Sequence, residues 1–237
     1  MTNDRNLHIY FLLDRSGSME SMATDVIGGF NSFLESQQAD GPDALFTLVQ
    51  FDSADPREVL TDAIPIREMT RLDATRFQPR GSTPLYDAMG MLIADATIRA
   101  ERMTQAEQAA EEILFVTFTD GLENSSREYT RRKIFDLVKK HEDDGWTFVF
   151  LGANQDSYAE GGQVGFSATN IQNFAPDAEG SAAAFSSLSR SLSKRRRSMR
   201  NRERYDTRDL FEGTKEADDD LRERSNRPKS AEGGETP

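Results

Sequence analysis

The segment Asp14-Arg15-Ser16-Gly17-Ser18 sets a carboxylate and two hydroxyls at alternating positions, directly after an apolar run. Two other segments carry the same kind of atoms at related places. Gly81-Ser82-Thr83 precedes a helical pattern, and Thr119-Asp120-Gly121 closes another apolar run. Asp14, Ser16, Ser18, Thr83 and Asp120 offer only hard oxygen donors. Such a set suits a small hard cation. Mg2+ keeps octahedral geometry and several waters, whereas Ca2+ takes more oxygens and usually more carboxylates. The set therefore favours Mg2+, with Mn2+ acceptable. Two carboxylates leave the charge of such an ion incompletely balanced, so a water can be exchanged for a Glu or Asp side chain of a partner protein. Gly17 lets the loop turn tightly between the serines. Ser and Asp also cap loops and helix starts, which accounts for each residue singly but not for five on neighbouring loops.

For these side chains to meet, the elements carrying them must be neighbours. Leu7–Leu13 is a short continuous apolar run, as expected of a strand buried on both faces. Helical spacing follows over 21–38, a strand over Leu45–Phe51, and a third strand over Glu58–Ile66 whose Pro65 fits an edge. Pro84 fits a first helical position after Ser82 and Thr83, opening a long helix marked by Leu85, Met89, Leu92 and Ala96. Glu112–Thr119 is the fourth strand, 127–143 a helix, and Trp146–Leu151 the fifth strand. Weaker signals give a helix near 155–163, a strand near 168–173, and a last helix over 177–193. Alternating strands and helices predict a Rossmann-like, doubly wound α/β fold: a mostly parallel six-stranded sheet, one antiparallel edge strand, and helices on both faces. Ligands in such sheets bind beyond the carboxyl ends of the strands, where strand order reverses. In the order 3-2-1-4-5-6, strands one and four adjoin at that point, and Asp14 and Asp120 converge.

At this point the sequence resembles the von Willebrand factor type A (VWA) family with its metal-ion-dependent adhesion site. DRSGS, GST and TDG match the family pattern in type and order over about residues 5–193. LDRSGSM, FNSFL, GSTPLYDA and TDGLENSS are closest to its cytosolic bacterial and phage-type branch. The resemblance implies that Ser16, Ser18 and Thr83 bind metal directly, and that Asp14 and Asp120 act directly or through water. It also implies a metal-dependent protein-binding module rather than an enzyme.

Two alternatives belong to other classes. Haloacid-dehalogenase-type phosphatases also set a strand-end aspartate beside Mg2+, but they need a second acid two residues on, where this chain has Ser16. A metal-independent scaffold could instead bind an anionic partner through Lys194–Arg204, which holds seven basic residues and one glutamate. The plainer reading of that cluster is a helix end whose cations complement the dipole.

Composition narrows the chemistry further. The 237 residues include no cysteine and two histidines, which excludes disulfides, thiol catalysis and thiolate metal sites. The net charge of −12 divides into −14 for residues 1–193 and +2 for 194–237. So acidic a body disfavours nucleic acid. No basic leader precedes the first apolar run, and no stretch approaches the ~20 apolar residues of a membrane span, so a cytoplasmic protein is expected. Residues 5–193 are expected to form the domain. Residues 194–237 are expected to be a basic helix end and a charged, disordered tail, dispensable for folding beyond about 200; its run Asp218–Asp220 could reach the site as a weak internal competitor.

Other residues have plain readings beside functional ones. Asp52 reads as a turn residue, with a place at the site rim as the lesser option. Glu123, Asn124 and Ser125 either support the site or cap the helix expected from 127. Asp156 reads as a helix start. Arg15 is expected to point outward, solvated or steering an acidic ligand. Trp146, His8 and His141 read as packing residues.

Overall fold

The computed structural model describes residues 6–153, 157–213, 215, 218–219 and 222–223. β1 (Leu7–Asp14) is buried along its whole length because it lies inside the sheet. With β2 (Ala44–Phe51), β3 (Glu58–Pro65), β4 (Glu112–Thr119), β5 (Thr147–Gly152) and β6 (Ile171–Asn173) it forms one six-stranded sheet, in the order β3-β2-β1-β4-β5-β6. Every pairing is parallel except β2 with β3. This is the doubly wound arrangement expected from the alternating pattern, and Asp14 and Thr119 end adjacent strands.

Alternation along the strands divides the core between two faces. Ile9, Phe11, Phe46 and Phe118 meet α1 (Ala23–Asp40) and α5 (Ala178–Asn201). There Phe11 and Phe30 pack edge-on at 5.4 Å between centroids, and Phe118 stacks on Phe185 at 4.7 Å. A methyl group at Gly29 would lie 2.3 Å from the Phe185 ring, so the two helices approach this closely only with glycine at that position. The other face meets α2 (Leu85–Gln105), α3 (Arg131–Asp143) and α4 (Ser157–Gln163) through Leu12, Val49, Leu92, Phe115, Val138 and Phe150.

Two helix starts differ from expectation, for one reason. α2 begins at Leu85, and no side chain of its own flank caps it. Its first N–H groups go to distant acceptors: Tyr86 N–H to Glu123 at 2.8 Å and Asp87 N–H to Ser126 Oγ at 3.0 Å. In return Asp87 accepts from the N–H groups of Arg127, Glu128 and Tyr129 at 2.7–2.9 Å. Residues 127–130 are thus drawn into a turn, and α3 starts only at Arg131, capped by Thr130.

The chain beyond 193 differs more. α5 continues to Asn201, and its basic residues turn inward. Arg196 is 0% exposed; it donates to Gln37 O and Gly41 O, each at 2.6 Å, and pairs with Asp43. Arg195 stacks on Tyr205 at 3.0 Å, and Arg200 pairs with Asp43 at 2.9 Å and Asp40 at 3.2 Å. Leu210 and Phe211 then pack into the α1/α5 side of the core. The expected boundary at 193, and a disordered tail from about 200, do not describe these residues. Ion pairing and one apolar pair order them where no periodic stripe exists. Asp218 is also buried, accepting from Asn173 N–H at 2.7 Å and from Tyr158, so it is not a free competitor for the site. Asp156 and residues 224–237 lie outside the described residues. Among the described residues no helix is long and apolar enough to cross a membrane.

Candidate metal centre

Asp14 closes β1 fully buried, and both carboxylate oxygens are engaged. Ser16 N–H donates to Oδ1 at 2.7 Å, and Thr119 Oγ1 donates to Oδ2 at 2.6 Å. The chain then turns so that Ser16 Oγ and Ser18 Oγ lie 3.1 Å apart, and Ser18 Oγ donates to Asp120 Oδ1 at 2.7 Å. Thr83 arrives on a loop fastened to the first: Gly17 N–H donates to Gly81 O at 3.0 Å, and Arg80 N–H to Arg15 O at 2.8 Å. Gly81 has φ +68°, a conformation that favours glycine. Asn124 holds the threonine from the other side, accepting Thr83 N–H at 2.8 Å and donating its own N–H to Thr83 O at 3.1 Å. A methyl group on Gly121 would lie 3.1 Å from Thr83 Oγ1 and 3.6 Å from Ser18 Oγ, so a bare glycine lets three loops close on one another.

All five residues singled out by spacing are therefore brought to one place. Asp14, Ser16 and Thr83 are buried, Asp120 is half-buried and Ser18 is exposed, which leaves one side open to solvent. Burial pushes the Asp14 carboxyl up to about 7, against the opposing hydrogen bonds from Thr119 and Ser16, and the Asp120 charge adds to the rise. Burial also raises Asp120, against its bond from Ser18. Among the described residues no basic side chain pairs with Asp14. Hydroxyls around two carboxylates, one of them buried without a counter-charge, are donors that fit a hard divalent cation. The described residues contain no group of three His, Asp or Glu side chains placed to hold a metal, so the candidate donors are chiefly hydroxyls.

Neighbouring residues sort differently from expectation. Arg15 is not outward: it is 4% exposed, with Nε donating to Asp52 at 2.6 Å and a further ion pair to Glu58. Asp52 is itself fully buried, and a buried carboxylate needs a paired cation, which Arg15 supplies. Asp52 is the expected turn residue, accepting from Ala54 N–H at 2.6 Å, and also pairs with Arg80 at 2.9 Å. Burial would raise the Asp52 carboxyl, but the bonds from Ala54, Arg15 and Arg80 hold it below its usual value. Glu123 and Asn124 support α2 and Thr83 rather than capping α3, and Ser125 N–H donates to Glu123 at 2.8 Å. His8 bonds Thr47 Oγ1 at 2.9 Å and Glu111 at 2.8 Å, and His141 stacks on Trp146 at 4.1 Å, all remote from the centre and in packing roles. Sequence reasoning missed Thr119. The signal was a lone hydroxyl at the last position of a buried strand, beside the aspartate it binds.

No protein-family model matches the chain, and no curated protein sequence is detectably similar to it. Solved structures are similar in fold. The pilus adhesin SpaC from Lactobacillus rhamnosus GG aligns with a TM-score of 0.60 at 17% identity, over 81% of this chain and 31% of the adhesin. The SpRpn10 VWA domain aligns with a TM-score of 0.52 at 12% identity, over 77% of this chain and 95% of that domain. A von Willebrand factor type A protein from Catenulispora acidiphila aligns with a TM-score of 0.50 at 15% identity, over 80% of this chain and 43% of that protein. The chain thus spans about a third of the adhesin's length and nearly the whole of an isolated VWA domain. Identities this low carry the fold alone, and on the sheet order, the two helical layers and these alignments the chain has the doubly wound α/β fold of a von Willebrand factor type A domain.

Proposed function

We propose that Asp14, Ser16, Ser18, Thr83 and Asp120 hold one Mg2+ or Mn2+ and that the chain is a binding module recruiting an acidic side chain of a partner protein. The observation that carries this reading is the Asp14 carboxylate, fully buried and bonded only by uncharged donors among the described residues. A divalent cation supplies there a positive charge with coordination positions that a partner carboxylate can take. Ser16 N–H and Thr119 orient Asp14, Asn124 fixes Thr83, and the exposed Ser18 lies on the side from which a partner approaches. Partial desolvation of the contact strengthens the attraction over its value in bulk water.

The reading as a module rather than an enzyme is supported by the fold's occurrence in a pilus adhesin. The alternative through the basic segment is weakened by the structure, because Lys194, Arg195, Arg196 and Arg200 are engaged by Glu212, Glu112, Asp43 and Asp40. The test is calorimetry of the full chain with Mn2+ and Ca2+, followed by partner capture in Mg2+ and in EDTA. Mn2+ should bind tighter than Ca2+, with one ion per chain, and Thr83→Ala should weaken partner capture more than metal binding. No metal binding, tighter Ca2+ binding, or capture that survives EDTA would overturn the reading.

A further inference from the structure

Among the described residues three large apolar side chains are markedly exposed: Val59, Ile98 and Leu122. Val59 lies on β3 and Ile98 on α2, whereas Leu122, 50% exposed, belongs to a loop of the candidate metal centre. That loop is fastened on both sides of it. Gly121 N–H donates to Thr119 Oγ1 at 3.1 Å, and Asn124 N–H donates to Thr83 O at 3.1 Å. A methyl group on Gly121 would lie against Thr83 Oγ1 and Ser18 Oγ, and the Leu122 Cα follows one peptide further, about 3.8 Å on. A leucine is thus held in solvent beside the hydroxyls of the centre.

Leu122 borders a shallow crevice between the carboxyl ends of β4 and β5, where Phe150, Gly152 and Ala153 form an apolar wall. Asp120 belongs to both places: it lines the crevice, and it accepts from Ser18 Oγ at 2.7 Å. The rim on the β2 side is different. Ser53, Arg80 and Ser82 are exposed there, Ser82 N–H donates to Ser53 Oγ at 2.9 Å, and Arg80 is spent on Asp52. The centre therefore has a polar flank and an apolar flank. Its surroundings are also acidic. Glu20 is exposed two residues after Ser18, and Glu160 lines the crevice. A second acid beside a metal-bound carboxylate would be repelled. A lysine there would leave Leu122 without apolar cover.

We propose that the partner presents a single acidic residue with a bulky apolar residue one or two positions away, the acid directed to the centre and the apolar side chain covering Leu122 at the mouth of the crevice. This rests on the metal-dependent reading above and adds the chemistry of the partner segment. The acid fixes orientation, and the apolar contact supplies area and keeps water from the carboxylate, which strengthens its attraction to the cation. Polar residues of the partner then face Ser53 and Ser82.

The experiment is an amide-resolved NMR titration of the full chain, in saturating Mg2+, with the capped peptides Leu-Leu-Glu-Leu-Leu, Ser-Ser-Glu-Ser-Ser, Lys-Lys-Glu-Lys-Lys and Leu-Leu-Gln-Leu-Leu. The leucine–glutamate peptide should bind about tenfold tighter than the serine peptide, the factor expected from covering half a leucine and its counterpart. It should give saturable shifts at Leu122 and Ala153. Leu122→Ser, at an exposed position, should erase that preference and leave Mn2+ affinity in calorimetry unchanged, whereas Leu122→Met should keep both. The glutamine peptide tests the metal reading: binding equal to that of its glutamate counterpart would overturn that reading and this inference with it. Glutamate-dependent binding in which the serine or lysine peptide equals the leucine peptide, or in which the preference survives Leu122→Ser, would overturn this inference alone, as would the absence of saturable binding by the leucine–glutamate peptide to the Mg2+-loaded chain.

Discussion

Replacing Asp14 with asparagine should stabilise the metal-free protein above neutral pH. The carboxyl titrates near 7 in the folded chain and at 3.8 when free of it. Between those values the folded state holds a proton that the unfolded state has lost, so stability falls as pH rises across that window and the full cost is present above it. A difference of this size corresponds to a cost on the order of 4 kcal/mol at about pH 8. Asparagine removes the charge but cannot accept from both Ser16 N–H and Thr119 Oγ1 as the carboxylate does, which returns about 2 kcal/mol. The net gain is about 2 kcal/mol, or about 4–8 °C in Tm for a chain of this size. The assay is thermal unfolding in chelator from acid to about pH 8, with and without saturating Mn2+. The wild type should lose stability with rising pH and regain it with Mn2+, and the variant should do neither. An Asp14→Asn protein less stable than wild type in chelator at about pH 8 would refute the reasoning, because an uncompensated buried charge would not then be present.

Asn124→Ala should lower Mn2+ affinity about tenfold in calorimetry, since it frees the loop holding Thr83 without removing a donor atom. Phe211→Ala should cost about 3 kcal/mol in urea unfolding, and truncation after Arg204 should cost more by also removing Leu210. Arg15→Met should cost about 2 kcal/mol rather than the 3–5 kcal/mol of a stranded buried charge, because Asp52 keeps Arg80. Burial opposes ionisation of Glu111, but bonds from His8 and Arg99 hold its carboxyl down to about 2 from 4.5. Its contribution is therefore complete above about 4.5 and lost as pH falls towards 2, and Glu111→Gln should flatten that acid limb of an unfolding series.

The strands were readable because burial on both faces leaves continuous apolar runs such as LHIYFLL, and four of the candidate donors, Asp14, Ser16, Ser18 and Asp120, stood out because they sit where those runs stop. What escaped is whatever depends on a partner far along the chain. Pro84 satisfies the local rules for a helix start, yet the acceptors for α2 come from Glu123 and Ser126. Arg15 sits at a variable motif position and looks solvated until Asp52 is seen beneath it. A run such as KRRRSMR gives no sign that Asp40 and Asp43 wait at the end of another helix. Leu210 and Phe211 lack periodic neighbours, so their burial has no local signature.

The hydrogen bond from Asn173 to Asp218 has a consequence at the level of colloidal behaviour. An open sheet has two edges, and each is a template on which another chain can add a strand. At one edge β3 breaks its register with β2 twice and carries Ala63 at φ +49°, an irregular surface for docking. At the other, β6 is only three residues long, and Asp218 occupies the Asn173 N–H. The segment after α5 thus acts as a guard against edge-to-edge assembly. A chain shortened to end at α5 would bare that edge together with the apolar surface that Leu210 and Phe211 cover, and it would betray the loss first as concentration-dependent self-association.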